Sequence, residues 1–148
     1  MKASFDLSGE QLSKFEASCQ VVIQRVDKGT KKATIAACEE IMNASKEQVP
    51  KDTLTLLSSA FYEVHKRTDV SSYLYEATLG YGGNGDPVNP KTGKAASEYM
   101  LAVHEDLSAL HIIGKAKFLE DPLREYANSK FAKNIFEYIN EALSTGGS

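Results

Sequence analysis

Apolar positions along the first third of the chain fall at helical intervals. Leu12, Phe15, Cys19, Val22 and Val26 follow one another at steps of three and four, which stacks them on one stripe of an α-helix. The stretch LSGEQL at 7–12 supplies a start, with Ser8 as N-cap, Gln11 as its capping-box partner and Leu7 facing Leu12 as a hydrophobic staple. Asp27-Lys28-Gly29-Thr30 interrupts the pattern, because glycine weakens a helix interior and Asp27 or Thr30 can cap a new helix. From Lys31 the stripe resumes with Ile35, Cys38 and Met42 and runs to Pro50, whose missing N–H and restraint on Val49 end it. The expectation is a short helix followed by a longer one, bent or broken at the glycine.

Past Pro50 the period changes from helical to alternating. TLLSSAFYEVHKRTDVSSYLYEATLGY is rich in aromatic and hydroxyl residues and predicts strands near 57–66 and 71–81, joined by a polar hairpin turn. His65 then falls at a strand end as a solvated side chain. GGNGDPVNPKTGKAASE, residues 82–98, holds four of the ten glycines and two of the four prolines, so an irregular, exposed connection is expected. A loop of that length either contacts a partner or is a tolerated insertion; on the first reading Tyr81, Asn84, Asp86, Asn89, Lys91 and Lys94 are interface candidates. Tyr99 to Glu105 reads as a further strand, and Leu107 to Leu119 as a mixed connection turning at Gly114. Asp121-Pro122 gives an N-cap with proline at the first helical position, opening a final helix with the stripe Leu123, Tyr126, Phe131, Ile135, Tyr138, Ile139 and Ala142.

The order predicts a single α+β domain over 1–148 with flexible ends at 1–7 and 144–148: N-terminal helices, an antiparallel sheet of three to four strands with a long loop, and a C-terminal helix packed on the sheet. At 148 residues there is one core and no room for two. The net charge of −3, with basic residues only in small groups such as Lys31-Lys32 and Lys66-Arg67, argues against a nucleic-acid binder held by a broad basic field. No run approaches the ~20 apolar residues of a membrane span, and the N-terminus lacks a leader-like apolar core, so a soluble protein made in the cytoplasm, without membrane contact, is expected. Cys19 and Cys38 sit in helical contexts and read as buried structural thiols rather than a disulfide or reactive pair.

The densest cluster of ionisable residues is His104-Glu105-Asp106, followed by His111, Lys115 and Lys117. A zinc site needs three or four ligands at compatible spacing, and helical H-E-x-x-H would supply two of them on one face. Here the histidines are seven positions apart, and in a strand His104 and Glu105 point to opposite faces. Ser97, Ser108, Asp106 and His111 provide the residue types of a triad but no GxSxG elbow, and neither GxxxxGK[ST] nor GxGxxG occurs to cradle phosphate. No catalytic residue, metal or cofactor is assigned. His104, Glu105, His111, Lys115 and Lys117 are read as structural or interface groups, with a small hydrolase or metal enzyme built on His104, Glu105 and His111 as the weaker alternative.

PKDTLTLLSS at 50–59, YMLAVHE at 99–105 and GKAKFLEDPL at 114–123, taken in that order, resemble the tail-completion or neck proteins of long-tailed bacteriophages. PKDTLTLLSS at 50–59 is similar to the family's Pro-x-Asp-Thr-Gly-x-Leu-Arg-x-Ser junction, matching at Pro50, Asp52, Thr53, Leu56 and Ser59. Leu54 stands where glycine is usual and Leu57 where arginine is usual. YMLAVHE at 99–105 resembles the family's strand of Tyr-Ala-x-x-Val-His-Glu or Val-Glu type after a long variable loop, and GKAKFLEDPL at 114–123 its entry into the C-terminal helix. The resemblance implies a non-enzymatic virion subunit, assembled in the host cytoplasm into a homo-oligomeric ring, typically a hexamer, at the neck. Its neighbours would be connector or head-completion proteins on one side and tail terminator or tail tube proteins on the other, with DNA passing through the lumen without specific binding. A minor capsid or head-completion role is the alternative.

Overall fold

The computed structural model describes residues 8–51, 54–68, 75–83, 85–109 and 113–145. The fold is α+β: a long N-terminal helix, an antiparallel hairpin and C-terminal helices that pack on the first. Helix α1 runs without a break over Gly9–Gln48. It opens as its sequence dictates, with Gln11 N–H donating to Ser8 Oγ at 3.3 Å and Ser8 N–H to Gln11 Oε1 at 3.0 Å; Leu7 of the expected staple lies outside the described residues. It ends where expected, with Val49 extended before Pro50.

The expected interruption at 27–30 does not occur. Asp27 is turned outward to accept from Tyr75 Oη at 3.1 Å and to pair with Lys66 Nζ at 2.8 Å. Thr30 Oγ1 donates to the carbonyl of Val26 at 2.8 Å, within the helix. Gly29 is a close-approach residue: a Cβ there would stand 2.9 Å from Ile139 Cα and 3.0 Å from Tyr138 O, so its lack of side chain lets a second helix lie against α1.

After α1 the chain turns through Leu54, whose φ of 59° is left-handed, into a single helical turn, α2, Thr55–Ser58. Strand β1, Phe61–Lys66, then pairs with β2, Tyr75–Gly80, from Phe61↔Gly80 to Lys66↔Tyr75. The antiparallel pairing is as expected, with the first strand starting later because residues 55–58 are helical; the expected turn beyond residue 68 and the expected start of the second strand at 71–74 lie outside the described residues. These two strands make up the sheet among the described residues, rather than three or four.

Residues 96–105 account for the difference. They form helix α3, Ala96–Glu105, not a strand. Its inward residues are Ala96, Tyr99, Met100 and Val103, at the one, four, five and eight positions of a helical face, and Leu101 is exposed. Glu98 caps it by accepting from Ala95 N–H at 3.2 Å, and Asp86 Oδ1 accepts from Ser97 N–H at 3.0 Å. The loop ahead is shorter and more ordered than a stretch irregular to 98 would be. Val88 bridges Ala95, and Asn89 organises the turn by accepting from Lys91 N–H at 2.9 Å through its side chain and from Gly93 N–H at 2.8 Å through its carbonyl.

The last third turns at Gly114, as expected, and enters α4, Glu120–Ser129, followed by α5, Phe131–Ser144. Leu119 rather than Asp121 is the capping position, and Lys130, at φ −123°, divides what the stripe predicts as one helix. Helix α5 runs antiparallel to α1, from the Lys130–Glu40 ion pair to Arg25, which donates to the carbonyl of Leu143 at 3.4 Å. The hairpin also lies on α1, which is therefore the shared support of both. The core gathers at the C-terminal end of α1: Met42, Val49, Leu56, Tyr81, Ala96 and Phe118. Cys38 is buried, which pushes its thiol up, and Cys19 is half-buried; both are free thiols.

Candidate functional site

The ionisable cluster at 104–121 is a built assembly around Phe118, which is fully buried. Gly114, at φ 100°, starts it: a Cβ there would come within 2.6 Å of Pro50 Cα, so only glycine allows the 114–119 turn to lie on the end of α1. Lys115 N–H donates to the carbonyl of Gln48 at 2.9 Å and Lys117 N–H to that of His104 at 2.8 Å, fixing the turn between α1 and α3. Held this way, the ring of Phe118 meets those of Tyr81 and His104 edge-on, with centroids at 5.2 and 4.9 Å.

His104 is a positioned, partly buried imidazole. Its Nδ1 lies 2.8 Å from Glu105 Oε1, and its Nε2 is 3.4 Å from the amide nitrogen of Glu120. An N–H can only donate, so Nε2 accepts and Nδ1 carries the proton toward Glu105. Lys117 adopts a left-handed φ of 57° and sets its ammonium between Glu105 and Glu120, reaching Glu120 Oε2 at 2.9 Å. The Lys117 ammonium, then the His104 ring, hold the Glu105 carboxyl below its ordinary value, and Lys117 does the same for Glu120. Their carboxylates in turn raise Lys117. Lys115 reaches Asp121 Oδ2 at 2.6 Å and lowers that carboxyl too.

The helix at 96–105 overturns the face argument made from a strand: His104 and Glu105 are bonded neighbours. Their bonds nevertheless point into the fold. Both imidazole nitrogens are engaged, and the carboxylate is held ionised by a lysine. Ser97 Oγ donates to Asp86 in the preceding loop and Ser108 Oγ to Asp106 at 2.6 Å, so each serine is engaged by a carboxylate and not by a histidine. Among the described residues no three or more His, Cys, Asp or Glu side chains group to hold a metal, and no helix is long and apolar enough to cross a membrane.

The other sequence candidates divide. Tyr81 is a core residue, 3% exposed, whose hydroxyl is 2.7 Å from Ser45 Oγ; a buried phenol of this kind offers no surface to a partner, which corrects its reading as an interface side chain. Asn89 is likewise buried and shapes its own turn. Asp86 is spent on the N-terminus of α3. Lys91 and Lys94 are exposed at the tip of the loop, while Asn84 and His111 lie outside the described residues. Phe118 is the centre of the site; in the sequence it directly follows Lys117 in a turn opened by Gly114, a placement that marks it for packing.

No family model, curated protein or solved structure matches the chain.

Proposed function

We propose that the chain is a structural virion subunit of a bacteriophage neck, a tail-completion protein that joins head connector to tail as part of a homo-oligomeric ring. One observation carries the reading. The three segments that resemble the family meet in space: Pro50 of the first lies under Gly114 of the third, and His104 and Glu105 of the second close on Lys117, Phe118 and Glu120 of the third. Segments that resemble a family for structural reasons should converge on shared packing, and these share the Phe118 core. Leu54 adds support, since the position where the family carries glycine is the one that adopts a left-handed φ here. The engaged state of His104 and Glu105 favours this reading over hydrolysis. A minor capsid or head-completion role would use the same fold.

The test is assembly. Purified chain mixed with connector-bearing heads and separate tails is expected to co-sediment with them and raise the yield of joined particles. A chain that remains monomeric at high concentration and leaves heads and tails unjoined overturns the proposal.

A further inference from the structure

Helix α1 outruns its partners among the described residues. Its apolar stripe continues as Leu12, Phe15, Cys19, Val22, Val26, Gly29 and Ala33, a strict alternation of three and four residues, which is the seam of a coiled coil. Helix α5 fills that seam from Ala33 to Gly29, where Ile139, Tyr138 and Ala142 sit against the glycine, and stops at Arg25. Toward the N-terminus residues 9–24 continue as about 24 Å of helix, and Leu12, Phe15 and Val22 are 46%, 63% and 48% exposed. The uncovered seam is thus the direct extension of a packed helix–helix interface.

We propose that residues 9–24 pair two copies of the chain, each seam closing on the other in antiparallel orientation. The direction follows from α5. In a parallel pair both α5 helices would come between the two α1 helices just beyond Val22 and force them apart. In an antiparallel pair the second copy's α1 continues the line of α5 beyond the end of that helix at Ser144 and runs in the same direction as α5. The register that superimposes the seams sets Leu12 against the second copy's Val22 and Phe15 against the second copy's Cys19, large residues facing small ones. Glu16 meets its own copy near the two-fold axis, a like-charge approach that weakens the pair. The contact is isologous, so it describes the free chain; a polar ring has no such axis, and the pair would separate on ring formation. The inference stands without the neck reading.

Sedimentation of the full chain over a concentration series is expected to show a monomer–dimer equilibrium. Phe15→Glu should raise the dissociation constant at least about tenfold, since it sets a charge where a phenylalanine ring would be buried, and its unchanged circular dichroism and melting would show that the monomer is intact. Glu16→Gln should tighten the pair. On mild oxidation Phe15→Cys should yield intermolecular 15–19 disulfides, mapped by mass spectrometry. A chain that is monomeric throughout, a dimer indifferent to Phe15→Glu or weakened by Glu16→Gln, or cross-links mainly between two copies of Cys19 would overturn the proposal. A chain that pairs yet never joins heads to tails keeps this inference and removes the neck reading; one that joins without pairing does the reverse.

Discussion

From Gly29 to Val49 the apolar stripe of α1 is covered in turn by α5, α4, the hairpin and the 114–119 turn, and Ala33, Cys38, Met42 and Val49 are buried. From Leu12 to Val22 the same helix carries the same spacing, and Leu12, Phe15 and Val22 are exposed while Cys19 is half-buried. One periodicity therefore has two outcomes along one element. The spacing specifies a stripe, whereas burial is decided by whether another segment returns to it. Local stability should follow the second property, because packing rather than helix propensity supplies most of a helix's stability.

The sharpest way to break this comparison is to truncate one aromatic ring in each region. Phe118→Ala removes a fully buried ring that touches Tyr81 and His104, and a loss of about 3–5 kcal/mol in urea unfolding is expected. Phe15→Ala, in the exposed half, should change monomer stability by no more than about 0.5 kcal/mol. Equal losses would mean that the N-terminal seam is packed within one chain.

Gly29→Ala comes next and turns on a sign. In an exposed helix interior this change adds about 0.5–1 kcal/mol. At Gly29 the new methyl would meet the backbone of Ile139 and Tyr138 at 2.9 and 3.0 Å, atoms that cannot swing aside. A loss of about 1–3 kcal/mol is expected instead, read as a lower urea midpoint with the helical signal kept at low denaturant. A gain would show that α5 yields easily.

Leu54→Gly probes the exit from the buried half. Leucine in the left-handed region costs about 1–2 kcal/mol, and glycine gives back roughly half of that in unfolded-chain entropy. Because Leu54 is largely exposed, little burial is lost, and a net gain of about 0.5–1 kcal/mol should appear in the melting temperature. A loss would mean that the leucine side chain holds the turn.

How far these features were legible differs by residue, for physical reasons. The start of α1 at Ser8, its end at Pro50, the hairpin and the turn at Gly114 each rest on a local rule and were readable. Helix α3 was misread because YMLAVHE, taken from Tyr99, looks continuously apolar. Begun at Ala96, the same residues show the helical face Ala96, Tyr99, Met100 and Val103. The break expected at Gly29 failed because a tertiary contact, not local propensity, sets the role of that glycine. The site was half legible: the sequence marked His104, Glu105, Lys115 and Lys117, and the pairs His104–Glu105 and Lys117–Glu120 are local, but the contacts that join the α3 end to the 114–119 turn, and that turn to the end of α1, are ones no local spacing encodes.

The smallest expected effect concerns the ionic part of the site and is best read as a pH profile. The Glu105 and Glu120 carboxyls are lowered chiefly by Lys117, so their contribution is present above the unfolded value of about 4.3 and is lost as pH falls through their lower folded values. Lys117 is raised by the same pairs, so its contribution is present below the unfolded value of about 10.4 and is lost as pH rises through its higher folded value. Lys117→Met keeps the chain length and the left-handed backbone but removes the charge. The stability difference between the parent chain and this variant should be a plateau between about pH 5 and 10 that closes at both ends. Because the pairs are exposed, added salt should lower the plateau. A difference that persists unchanged at pH 2 would assign the role of Lys117 to the packing of its methylene stem, and the comparison would then rest on Phe118 alone.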